Sequence, residues 1–94
     1  MARILIVDDS SIYRSNMRDI LESGGHTIAG EARNGAEGVE KYKELRPEIT
    51  TLDITMPVKD GLEALKEIME FDPDAKVIMV SATAQQSNIS EALI

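Results

Sequence analysis

The chain has 94 residues, 43% of them apolar, which suits one small packed domain spanning residues 1–94 and argues against disorder. Its 17 acidic residues outweigh 10 basic ones to give a net charge of −7, a balance that repels phosphate backbones and disfavours direct nucleic-acid binding. The absence of cysteine rules out a disulfide framework and a thiolate metal site and suits a reducing, cytoplasmic setting, and the apolar run at the N-terminus is too short for a signal peptide or a membrane span.

Ile4-Leu5-Ile6-Val7 is a short continuous apolar run, the pattern of a strand buried on both faces of a parallel sheet. From Ser10 to Ser23 the residues Tyr13, Met17, Ile20 and Leu21 follow helical spacing. Asp9 or Ser10 can cap the start of that helix, and Gly24-Gly25 stops it. Thr27 to Ala32 reads as a weaker strand, and Gly30 suits it to an edge. His26, the lone histidine, follows the two glycines and reads as a solvated loop residue. Asn34 with Glu37 three residues on predicts a capped helix carrying Val39, Tyr42 and Leu45 that ends before Pro47. Glu48 to Asp53, rich in β-branched residues, predicts the third strand. Asp60 and Glu63 repeat the cap pattern and open a helix with Leu62, Leu65, Ile68 and Met69. Asp72-Pro73-Asp74 is a turn, Val77-Ile78-Met79-Val80 a second continuous apolar strand, and a fourth helix is expected from Gln86. Strands alternating with helices call for a parallel sheet joined by right-handed crossovers.

In an open parallel sheet, ligands bind outside the carboxyl ends of the strands, where the strand order reverses. The first strand ends at Asp8 and Asp9, the third at Asp53 and the fourth at Ser81. Neighbouring first and third strands would bring three carboxylates into one pocket, where like charges are costly without a cation. Carboxylate oxygens without histidine or cysteine point to Mg²⁺. Each residue also has a plainer reading: Asp8-Asp9 as a helix cap and its neighbour, Asp53 as a loop acid, Ser81 as a turn former. The methionines Met17, Met56, Met69 and Met79 read as core filler.

Val7-Asp8-Asp9-Ser10, Asp53-Ile54-Thr55-Met56-Pro57, Asp60-Gly61 and Val80-Ser81-Ala82 stand in order along the chain. Together they resemble the signature of the response-regulator receiver domain, in the single-domain chemotaxis, CheY-like flavour. The resemblance implies a flavodoxin-like α/β three-layer fold, with the parallel order 2-1-3-4 for the strands present here. It implies that Asp53 is the phosphoacceptor and catalytic nucleophile. Asp9, Asp53 and the carbonyl of Thr55 would bind Mg²⁺ directly, and Asp8 would act through a metal-bound water. Ser81 would hydrogen-bond a phosphoryl oxygen, while Pro57 and Gly61 shape the loop after the acceptor. Receiver domains catalyse their own aspartyl phosphorylation and dephosphorylation, and the partner implied is a sensor histidine kinase.

The family also has a fifth strand, with a lysine that pairs with the phosphoryl group and an aromatic switch residue, and a fifth helix. No segment of this chain matches them, so the sequence reads as a truncated receiver. Lys59, in the loop after the acceptor, and Lys76, at the opposite end of the sheet, are the nearby candidates to replace the lysine's charge. Two expectations follow: a phosphoacceptor signalling module, or a self-associating fragment that does not signal. Self-association would form a homo-oligomer through the edge of the fourth strand and a sheet face uncovered around Ile4, Ile6 and Leu52. An aspartyl-intermediate phosphatase would need Asp-x-Asp after the first strand, where this chain has Asp8-Asp9-Ser10. A flavin-binding flavodoxin is disfavoured because Asp8 and Asp9 would repel the flavin phosphate.

Overall fold

Ile4, Leu5, Ile6 and Val7 are each at most 2% exposed in the computed structural model, so the apolar run is a strand covered on both faces. It forms β1 (Arg3–Val7), followed by α1 (Ser11–Ser23), β2 (Thr27–Ala32), α2 (Gly35–Leu45), β3 (Ile49–Asp53), α3 (Gly61–Phe71) and β4 (Val77–Val80). The structure describes residues 1–54 and 59–80; Thr55, Pro57, Ser81 and the helix expected from Gln86 lie outside them.

The caps are those the sequence predicts. The side chains of Ser10, Asn34 and Asp60 accept the N–H of Tyr13, Glu37 and Glu63 at 3.3, 2.8 and 2.9 Å. Each satisfies one otherwise orphaned donor, a contact worth about 1 kcal/mol. α2 stops where Arg46 turns into the left-handed region at φ 49°, its N–H still bonded to the Tyr42 carbonyl.

The described strands form one parallel sheet in the order β2-β1-β3-β4. Right-handed crossovers place α1 on one face and α2 and α3 on the other. The second face holds the core: Leu5, Val7 and Leu52 from the sheet pack with Val39 and Tyr42 of α2 and Ala64 and Ile68 of α3. Alternation along β1 turns Ile4 and Ile6 to the α1 side.

Two expectations need correction. The sheet face around Ile4, Ile6 and Leu52 is not uncovered, since these residues are 2%, 1% and 0% exposed. β1 and β3 are interior strands of the described sheet, and the exposed large apolar side chains stand elsewhere, Ile12, Tyr13 and Ile20 on α1 and Leu62, Met69 and Phe71 on α3 among them. His26 is half-buried rather than solvated. Its Nδ1 accepts the Ala2 N–H at 3.1 Å, because the Thr27 N–H to Ala2 carbonyl bond brings the start of β1 beside the turn before β2. β4 does stand at the end of the described sheet, with Ile78 42% exposed.

Candidate functional site

The chain runs from β1 outward to β2, then crosses back over β1 to β3 and on to β4. The order therefore reverses between β1 and β3, and a crevice opens at their carboxyl ends. The last register pair there is Val7 with Leu52. One residue further along each strand, Asp8 stands level with Asp53, and Asp9 follows.

Each of the three aspartates offers a carboxylate oxygen within 4.8 Å of the others. Asp8 is 7% exposed and Asp53 3%, whereas Asp9 is open to solvent. Burial pushes the Asp8 carboxyl above the usual carboxylate range, and the neighbouring Asp9 adds to the effect; the Ser10 N–H and the Arg14 guanidinium oppose it. The Ser10 N–H donates to Asp8 Oδ1 at 2.9 Å, so one oxygen of this carboxylate is already engaged. Three carboxylates with no imidazole or thiolate beside them form a hard-oxygen donor set, which fits Mg²⁺. A dication at this point would offset the like charges that burial makes costly.

Arg14, which sequence reasoning missed, buttresses the crevice. Its Nη1 donates to the Asp8 carbonyl at 2.6 Å and its Nε to Glu31 at 3.2 Å. Arg18 Nε donates to the same Glu31 at 2.9 Å, and this pairing holds the Glu31 carboxyl below the usual range. Arg14 lies one turn into α1, a signal legible in sequence, but Glu31 becomes its partner only through the pairing of β1 with β2. Lys59 pairs with Glu67 of α3 rather than with the aspartates. Lys76 stands at the opposite end of the sheet, where its carbonyl accepts the Thr50 N–H.

Gly61, expected to shape the loop after Asp53, opens α3 directly against the backbone of β3. Its N–H donates to the Ile54 carbonyl at 2.8 Å, and a Cβ there would lie 2.0 Å from the Asp53 carbonyl oxygen. Only glycine fits this approach. Thr55, Pro57 and Ser81, the other expected site residues, fall outside the described residues.

Residues 4–94 match the family model described as the response regulator receiver domain. The chain is 54% identical over 91 residues to the chemotaxis protein CheY of Thermotoga maritima, covering 97% of this chain and 76% of that protein. It is 52% identical over 91 residues to the Bacillus subtilis chemotaxis protein CheY, with the same coverage. Among solved structures, the CheX–CheY–BeF₃–Mg²⁺ complex from Borrelia burgdorferi superposes with a TM-score of 0.86 at 43% identity. That match covers 97% of this chain and 69% of the other.

Proposed function

The chain belongs to the response regulator receiver domain family, and from that premise we propose that it accepts a phosphoryl group on Asp53 with Mg²⁺ bound at Asp8, Asp9 and Asp53. The observation that carries the reading is the convergence of those three carboxylates within 4.8 Å at the reversal of strand order. The Borrelia burgdorferi relative solved with BeF₃ and Mg²⁺ supports it.

Asp53 ends its strand in the crevice, where its carboxylate oxygen can attack the phosphorus of a phosphohistidine or acyl phosphate. The new bond is O–P; the donor's P–N or P–O bond breaks, and the leaving group keeps the electron pair. Asp9 and Asp53 would hold the cation directly together with the Thr55 carbonyl, and Asp8 through water. Mg²⁺, when bound, supplies positive charge that offsets the carboxylates and the phosphoryl oxygens. Ser81 would donate to a phosphoryl oxygen, and Pro57 with Gly61 would set the course of the loop. The physiological donor in this reading is a sensor histidine kinase, and the setting is the cytoplasm. No helix among the described residues is long and apolar enough to cross a membrane.

The test is intact-mass measurement after incubation with a small acyl phosphate and Mg²⁺. The reading predicts the mass of one added phosphoryl group, lost in Asp53→Asn and without Mg²⁺. An unchanged mass in the parent chain overturns it. Pairing of two copies through β4 is a separate reading, which the exposure of Ile78 supports. It predicts a dimer by ultracentrifugation at micromolar concentration that Ile78→Lys dissociates, and a monomeric parent contradicts it.

A further inference from the structure

Gly35 is the first residue of α2, 18 positions before Asp53, and its sequence context marks it only as the residue behind a helix cap. Its N–H has no helical acceptor, as befits a first-turn donor. It donates instead to the Lys59 carbonyl at 3.0 Å. A Cβ on Gly35 would lie 2.1 Å from that oxygen, 2.8 Å from the Lys59 carbonyl carbon and 2.9 Å from the Lys59 Cβ. Two of these three are backbone atoms, so no side-chain rotation relieves the overlap.

Lys59 is two residues before Gly61, which is itself seated on the backbone of Ile54 and Asp53. The approach of the chain to α3, at Lys59 and Gly61, is therefore held at two points. Gly61 closes it onto β3, and Gly35 grips it from a different helix. Both contacts are main-chain hydrogen bonds at places where a Cβ cannot fit. The Lys59 side chain adds a third tie, to Glu67 on α3.

We propose that Gly35 is a positioning residue for Asp53: the first N–H of α2, with no Cβ beside it, fixes the Lys59 carbonyl and thereby the seat of Gly61 on the Asp53 backbone. The inference rests on Asp53 being the phosphoacceptor. Any side chain at position 35 must push the Lys59 carbonyl away by roughly 1 Å, a displacement of the size that costs about a hundredfold when it reaches reacting groups. A purely helical role for Gly35 makes the opposite forecast. Alanine is the better helix former, so Gly35→Ala would then stabilise the protein and leave its chemistry alone.

The experiment compares the parent chain, Gly35→Ala and Ile68→Val, the last being a core loss on α3 away from the contact. Two quantities are read: the amide chemical shifts of Ile54 and Gly61 without metal, and the rate of Mg²⁺-dependent labelling at Asp53 by a small acyl phosphate. Gly35→Ala should move both amides and slow labelling by at least about tenfold, while Ile68→Val loses stability yet labels at the parent rate. Labelling of Gly35→Ala at the parent rate, unmoved amides, or equal slowing in Ile68→Val overturns the proposal. A parent chain that takes no label overturns the functional reading, and the inference with it.

Discussion

Thr50 is the second residue of β3, fully buried, and its Oγ1 finds no hydrogen-bond partner among the described residues. An unpartnered buried hydroxyl is a cost that valine, of the same shape, avoids. Thr50→Val is therefore expected to raise unfolding stability by about 1 kcal/mol in denaturant titrations. Tyr42 is the opposite case, since its buried hydroxyl donates to Asp72 Oδ2 at 2.8 Å. Burial first, and then the Asp72 carboxylate, push the Tyr42 phenol up to about 12. A raised folded-state value means stability that is intact below the unfolded tyrosine value of about 10 and is lost as pH rises from there through the folded value. Alkaline unfolding should show this loss in the parent and not in Tyr42→Phe. The β-branched character of β3 and the apolar role of Tyr42 were legible in the sequence. The solitary hydroxyl and the Asp72 partner were not, because both depend on which surfaces the helices cover.

At the scale of elements, α1 departs most from its sequence reading. Its helical spacing and its Ser10 cap are as predicted, yet none of its residues is buried. Polar ties across to β2 anchor it instead, with Arg14 and Arg18 converging on Glu31. These pairs are partly exposed, so their contribution is modest, and Glu31→Gln is expected to cost about 0.5–1 kcal/mol at neutral pH and less at high salt. The arginine partners hold the Glu31 carboxyl below its usual range. The contribution is therefore present above the ordinary glutamate value and lost as pH falls through the lowered folded-state value. Parent and Glu31→Gln should converge in stability at acid pH; a gap that persists there would assign α1's anchorage to packing. Helix periodicity finds a face but not the charges opposite it, and for that reason the pairing was missed. The caps of α2 and α3 were legible because they are local, each joining residues three apart.

For the molecule as a whole, the alternation of strands and helices sufficed to predict a parallel sheet, and the strand order 2-1-3-4 came from the resemblance. The site followed because its carboxylates sit at strand ends, positions that a pattern of apolar runs marks directly. What stayed hidden are contacts made to main-chain carbonyls: the grip of Gly35 on Lys59, 24 residues away, and the reach of Arg14 back to the Asp8 carbonyl. The fold holds two buried aspartates and an exposed one close together in a protein that is already net negative. Such a site should be uneasy when empty. Asp8→Asn is accordingly expected to raise the thermal midpoint of metal-free protein, since it removes a buried like charge and keeps an acceptor for the Ser10 N–H. The central claim, that Asp8, Asp9 and Asp53 act as one cation site serving Asp53, is tested most directly by Mg²⁺ titration followed through backbone amide shifts. Saturable shifts are expected at the ends of β1 and β3 in the parent chain, with their loss in both Asp9→Ala and Asp53→Ala. Unchanged titration curves in the two variants would contradict it.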